Sequence, residues 1–461
     1  MKPYLQYDKS TKTLTIDDDG YSSNDIPPDA RSAVFSPQFK GNLYLKGFTN
    51  ITTLHLPNST DHIDFMWCQD VKSLVNITVS PENTYFKYID NKILIGKVYF
   101  NDPPLNGILF ARRDIEKINI PSYVQCIFEH AFQWCQKLKK VTFSRDSQLQ
   151  IIHKHAFEYS GIESIFIPPT VTMILDCAFN ECRNLKTFNF PYNSELHAMY
   201  DAFGFTAIKT IKIPSLVTYL NAYFKGCSHL KTIIFDPNSQ IKSFCISCEE
   251  LLIDKICIPS SVEKCSFPLL KNLKTVIIPP DTKLKEIGSF KNTAIERITI
   301  PSQVEKLGNS CFYKCCNLKN VIFQLNSKLK NLPNFSFSYT NIKELTIPSS
   351  VIEIGTRCFY SCNIKKINFL PDSKLRLIRY WEFEDSLIES ITIPSQVEEI
   401  LEGCFTGCKN LKSIVFSNNS HLHEFSKDLF KDSGLESITI PSNINKISQN
   451  SFVNCIKLEN V

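Results

Sequence analysis

The chain has 461 residues, is 43% hydrophobic and 21% charged, and carries a formal net charge of +5. No Lys/Arg run or basic aromatic stripe stands out, so the sequence carries no nucleic-acid footprint. No stretch approaches the roughly 18 consecutive apolar residues of a membrane-crossing helix, which argues against membrane insertion.

In chain order, residues 1–45 read as a polar N-terminal cap with a hairpin at residues 5–16. Its first 19 residues lack the apolar core of a secretory signal, which points to the cytoplasm. Residues 46–106 read as degenerate first repeats around residues 51–57 and 74–79, with an inserted strand pair over residues 81–95. Terminal repeats of a stacked protein are expected to be atypical. Residues 107–461 read as a regular solenoid of about 15 turns and an incomplete last one.

The regular part is marked by Ile-Pro pairs. Their prolines are Pro121, Pro168, Pro214, Pro259, Pro301, Pro348, Pro394 and Pro441, spaced 47, 46, 45, 42, 47, 46 and 47 residues apart. Each unit splits into two similar halves, each with one Phe. The first halves carry Phe132, Phe179, Phe224, Phe312, Phe359, Phe405 and Phe452; the second halves carry Phe157, Phe203, Phe290, Phe337, Phe383 and Phe430. Most successive rings lie one leucine-rich-repeat turn apart. The abundance of Phe, 34 against 14 Gly, fits a core filled by rings.

Each turn is expected to supply one short strand. In Leu411-Lys-Ser-Ile-Val-Phe416, alternation turns Ile414 and Phe416 inward and Ser413 and Val415 outward. Stacked strands make a long parallel sheet on the concave face of an α/β-class, mostly β, leucine-rich-repeat coil. About 17 strands at about 4.8 Å each would run roughly 80 Å. Proline, which has no amide hydrogen, ends the strand. Short runs such as Arg357-Cys-Phe-Tyr-Ser-Cys362 are read as single helical or 3-10 turns on the convex face. The residue after the first apolar of each strand is Lys in the first halves (Lys139, Lys186, Lys319, Lys365, Lys412) and mostly acidic in the second (Glu116, Glu163, Glu296, Glu389, Glu436). This predicts an ion-pair ladder between adjacent turns, each exposed pair being worth about 0.2–1 kcal/mol.

The 18 cysteines recur at fixed places: Cys135, Cys182, Cys227, Cys315, Cys362, Cys408 and Cys455 stand three residues after a Phe. Such recurrence reads as compact core filling, with disulfides between turns the alternative in a secreted chain. Cys245-x-x-Cys248 lacks a second such pair and reads as no metal site. His153/His155 and His421/His423 read as ordinary loop residues. Sequons stand at Asn50, Asn58, Asn76, Asn334 and Asn418. No catalytic or cofactor-binding signature is found. The terminal residues 458–461 fall inside a strand pattern without a cap, so this end is expected to self-associate or meet a partner, or else the natural chain to be longer.

The segment Ile347-Pro-Ser-Ser-Val-Ile-Glu-Ile-Gly-Thr-Arg-Cys-Phe359, with Tyr-Phe-Lys-Tyr-Ile-Asp at residues 85–90, resembles the BspA-like leucine-rich repeats of oral bacteria and parasitic protists. The resemblance covers about residues 45–461. It implies a surface-antigen or adhesin-type scaffold, at the cell surface or secreted, binding a protein or glycan on a host or microbial surface. It implies no enzyme activity and no cofactor. The alternative is an intracellular protein-interaction scaffold. The contact face is expected on outward strand positions: Lys140, Thr142, Asn189, Lys212, Lys255, Arg297, Asn320, Lys366 and Asn368.

Overall fold

The structure, a computed structural model, describes residues 4–39, 41, 43–63, 66–97, 106–222, 224–417 and 419–460; the sequon residue Asn418 and the terminal Val461 lie outside them. The chain forms two compact units, Met1–Ser239 and Gln240–Val461.

The first unit opens with the antiparallel strands Leu5–Asp8 and Thr13–Ile16, followed in parallel by Ser32–Phe35, Thr53–Leu56 and Asn76–Val79. Their inward residues, among them Leu14, Phe35 and Leu54, are buried with Trp67 and Phe110. Strands Phe86–Ile89, Ile93–Gly96 and Gly107–Ala111 then pair antiparallel. From there the coil is regular, and every turn contributes two strands. Lys117–Ile120, Lys140–Phe143, Ser164–Phe166 and Thr187–Asn189 form one parallel ladder. Cys126–Ile127, Ile151–Ile152, Met173–Ile174, Ala198–Met199 and Tyr219–Ala222 form a second. The expectation of one strand per turn is therefore corrected to two. The second strand is usually two residues long, too short to show an alternation in the sequence.

The second unit repeats this plan. Its long strands include Arg297–Ile300 with Asn320–Phe323, and the run Glu344–Ile347, Lys366–Phe369, Ser390–Ile393, Ser413–Phe416 and Ser437–Ile438. Its short strands include Lys264–Ser266, Glu286–Ile287 and Lys306–Leu307. In both units the long strands alternate exposed and buried residues, as in Arg297–Ile300 and Ser390–Ile393. A Pro then takes the first place of a turn: the carbonyls of Pro121, Pro348 and Pro394 accept from the amides of Val124, Val351 and Val397.

The phenylalanines stack face to face along each unit. Ring centroids are 4.8 Å apart for Phe132–Phe157, 5.1 Å for Phe157–Phe179 and 5.4 Å for Phe359–Phe383, with planes within 8°, 4° and 3°. The turns that carry them are not helical, which corrects the second structural expectation; among the described residues one 3-10 helix occurs, Ser23–Asp25. Residues two before and two after most of these Phe adopt positive φ instead: His130 and Trp134, Arg357 and Ser361, Trp381 and Asp385. Left-handed residues at both places break any helical run. They also aim the Phe amide at the next turn. Phe132, Phe157, Phe337 and Phe383 N–H groups donate to the carbonyls of Ala156, Ala178, Cys358 and Cys404 at 2.7, 2.8, 2.8 and 2.8 Å. All run in one direction, from each turn to the one after it.

The cysteines have a specific task here. Cys182, Cys315 and Cys408 are buried and free, and their Sγ donates to the carbonyls of Phe157, Phe290 and Phe383, each at 3.0 Å. Ser160, Thr293 and Ser386 fill the same place in the alternate turns and meet those sulfurs at 3.3, 3.4 and 3.7 Å. A small core side chain with one polar atom suits this slot, where it adds a second donor to a carbonyl that already accepts the amide of Ser160, Thr293 or Ser386. Arg113 performs a related role at the start of the regular coil. It is buried over the Phe110 ring, and its guanidinium donates to the carbonyls of Val71 and Ala131, both at 3.0 Å.

Candidate contact face

The outward side chains of the long strands point away from the core and are largely exposed. All nine residues expected to form a contact face stand on long strands, and each is exposed or half-buried. Four belong to the first unit. Lys140 and Thr142 share one strand, and the Thr142 hydroxyl donates to Asn119 Oδ1 at 2.9 Å. Asn189 pairs in register with Phe166, and Lys212 with Ile234. Five belong to the second unit. Lys255 faces Thr275 in register, and Arg297 faces Asn320.

Two grooves lie over this face in the second unit. One, of about 980 Å³, is lined by Ile352, Lys366, Asn368, Leu370, Arg376 and Thr392, among others. Another, of about 890 Å³, includes Ile277, Arg297, Thr299, Asn320 and Ile322 in its lining. The geometry thus brings Lys366 together with Asn368, and Arg297 with Asn320. Lys255 stands outside both linings.

Charge around the larger groove is partly internally matched. Asn368 Nδ2 donates to Glu344 Oε1 at 2.7 Å, and Lys366 Nζ lies 3.6 Å from the same oxygen. That hydrogen bond first, and the ammonium second, hold the Glu344 carboxyl below the usual carboxylate range. Lys365 Nζ meets Glu389 Oε1 at 2.7 Å and lowers its pKa in the same way. This is the one pair of the expected Lys/Glu ladder that closes among the described residues. The backbone register is nevertheless as expected, since Lys139, Lys186 and Lys412 N–H groups donate to the carbonyls of Glu116, Glu163 and Glu389. The other ladder side chains are exposed and close no ion pair with one another among the described residues, as expected of weak exposed pairs.

The chain matches the family pattern described as BspA type leucine rich repeat region (6 copies), over residues 106–231, 150–267, 199–319, 241–365 and 330–459. It belongs to that family. Among solved structures, the BspA-type chain is similar to a leucine-rich repeat protein from Bacteroides ovatus, at 20% identity and a TM-score of 0.40, covering 99% of this chain and 91% of that one. It is similar to the pneumococcal vaccine antigen PcpA at 16% identity and a TM-score of 0.42, covering 82% and 98%. For a leucine rich cell surface protein from Faecalibacterium prausnitzii the values are 22%, 0.36, 81% and 93%. Likenesses this distant carry no statement about a ligand. No curated protein matches its sequence.

The sequence reading of this BspA-type chain selected polar outward residues and passed over apolar ones. Phe166, Ile234, Ile277 and Ile322 stand at the outward third place of their strands, 56%, 42%, 42% and 59% exposed. Their signal was available: an apolar residue where strand alternation demands an outward side chain. The histidine pairs have local partners. His153 stacks on Phe128 at 4.9 Å and His155 on His130 at 5.2 Å. Glu158 accepts from Gln133 at 2.8 Å and Asn180 at 3.0 Å and meets His155 Nδ1 at 3.0 Å; that last contact leads in raising the His155 pKa. Burial pushes the His130 pKa down to about 4. His421 Nδ1 lies 2.9 Å from the Ser395 carbonyl. No described helix is long and apolar enough to cross a membrane.

Proposed function

We propose that this chain is a non-catalytic binding scaffold of the adhesin or surface-antigen type, engaging an extended protein or glycan surface through the outward faces of its long strands. The observation that carries the reading is the division of labour within each strand. Inward places are Ile, Leu, Val or Phe almost without exception, whereas outward places hold Lys, Arg, Asn, Thr, Ile and Phe. A rigid frame that presents chemically varied side chains at about 4.8 Å intervals suits recognition of a large surface. Lys366, Asn368, Arg297 and Asn320, at the two grooves, are proposed as the leading contacts, with Lys140, Thr142, Asn189, Lys212 and Lys255 on the same kind of position. The test is a variant with Arg297→Glu, Asn320→Glu and Lys366→Glu, assayed on immobilised host-cell matrix proteins and on a glycan array. Loss of wild-type binding with an unchanged circular dichroism spectrum is expected. Undiminished binding would place the contact face elsewhere.

An intracellular interaction scaffold is the second reading. It is favoured by one observation: the exposed Cys257 and Cys316 are free thiols. Free thiols suit a reducing compartment. Thiol counting on protein isolated from its native cell separates the two, since oxidised or glycosylated protein would exclude the intracellular reading.

A further inference from the structure

The short-strand ladder of the Met1–Ser239 unit has an outward face of its own, and its chemistry is unlike that of the same face in the other unit. Ile151, Met173, Ala198 and Tyr219 are partners in register across four successive turns. Leu175 and Tyr200 extend the row two residues further along their turns. Tyr200 and Tyr219 are 44% and 53% exposed, and Ile151, Met173 and Leu175 are partly buried. In the Gln240–Val461 unit the corresponding partners are Lys264, Glu286 and Lys306. There Lys264 Nζ lies 2.9 Å and Lys306 Nζ 3.6 Å from Glu286 Oε1. The inward residues do the same work in both units: Ile152 and Ile174 are buried in one, Cys265 and Ile287 in the other. The frame therefore accepts charge at these outward places. Apolar side chains there are not required for folding, and a contiguous exposed apolar row marks an interaction surface.

The rim of this row indicates the partner. One residue beyond it, in register, stand Glu129, Lys154, Asp176 and Asp201: three acids and one base, with Lys154 Nζ 3.4 Å from Asp176. The opposite rim, Gln125, Gln150, Thr172, His197 and Thr218, carries no acid. An acidic rim repels an anionic membrane, and the row, with only two phenol hydroxyls among its apolar side chains, lacks the dense hydrogen-bonding groups that a glycan needs. We propose that this face docks a basic amphipathic helix of another protein, its apolar stripe on Ile151, Met173, Leu175 and Tyr219 and its Lys or Arg residues toward Asp176 and Asp201. The four short strands of the row, at about 4.8 Å intervals, cover roughly 14 Å, the length of about 10 helical residues at 1.5 Å each.

The test uses the full chain and a synthetic 18-residue Leu/Lys amphipathic helix as probe (about 27 Å when helical), with its Leu/Glu counterpart as control. The variant Ile151→Lys/Met173→Glu copies Lys264 and Glu286, a pair that the same ladder already holds, so it is expected to fold with an unchanged melting midpoint. Binding of the Leu/Lys probe measured by fluorescence anisotropy should weaken at least tenfold in this variant and stay unchanged in Lys366→Glu. The Leu/Glu control should bind at least tenfold more weakly than the Leu/Lys probe. Equal binding by the variant, no binding by the wild type, or equal binding of both helices overturns the proposal. So does a wild-type dimer that the variant dissociates in light scattering, which would make the occupant a second copy. Wild-type but not variant sedimentation with zwitterionic vesicles would replace the peptide by lipid.

Discussion

In the Met1–Ser239 unit the residue ahead of the stacked phenylalanines is Ala131, Ala156, Ala178 and Ala202. In the Gln240–Val461 unit the same place holds Cys311, Ser336, Cys358, Glu382, Cys404, Leu429 and Ser451, and all of these side chains are buried. Apart from Ala131, whose carbonyl accepts from Ala111, the backbone of this place is used identically, its carbonyl accepting from the Phe of the preceding turn. The outer short-strand column differs in the opposite sense, apolar in the first unit and charged in the second. The Phe stack and the hydrogen-bonded turn thus define the frame, and the slots around it tolerate wide changes in polarity. Glu382 is the extreme case: it is fully buried, Oε2 accepts the Cys358 amide at 3.2 Å, and no hydrogen bond reaches Oε1.

If the frame is common to both units, truncating its rings should hurt both equally. Phe157→Ala and Phe359→Ala are each expected to cost about 3–5 kcal/mol, read from denaturant midpoints with the wild-type slope. A loss in one unit less than half that in the other would break the comparison. Glu382 sharpens it through pH. Burial raises its pKa well above the ordinary value of 4.5, so the folded state holds a proton that the unfolded chain releases. Its contribution is therefore complete below about pH 4.5 and is lost as pH rises toward the folded value, at about 1.4 kcal/mol per pH unit. Glu382→Gln should remove that slope from the wild-type stability profile between pH 5 and 7; parallel profiles would show that the carboxyl is ionised in place.

Smaller effects distinguish side-chain function from volume. Cys408→Ala deletes the thiol donor to the Phe383 carbonyl, leaving the Ser386 amide as its partner, and should lower stability by about 1 kcal/mol, whereas Cys408→Ser, the residue of the alternate turns, should cost less. Equal losses would reduce the thiol to a space filler. Least of all, Lys264→Gln with Lys306→Gln should change stability by less than about 0.5 kcal/mol, and less still in 1 M salt. A larger loss would mean that the charged column of the second unit is structural.

The period, the Phe stack and the inward Ile residues were all legible in the sequence because burial recurs at identical places. The short strands were not, since two residues carry no periodicity of their own. The left-handed turns were hidden for a different reason. Gly403, Gly407, Asn450 and Asn454 carry the usual turn signal, but His130, Trp134, Arg357 and Trp381 stand at the same places without it. The neighbouring turn holds them in place by accepting hydrogen bonds, and only the stack reveals that support. Alternation correctly indicated that Lys366 and Asn368 face outward. Their grouping with Leu370 and Arg376 in one groove comes from loop positions with no repeat signal.

The alternation of Cys with Ser or Thr beside the phenylalanines has a consequence for how such a chain can change length. Removing a single turn would set two thiols side by side, as Cys362 against Cys408, and leave no hydroxyl between them. Removing two restores the original neighbours. Viable deletions and duplications in the gene should therefore come in steps of about 46 codons, the interval between Ile-Pro pairs.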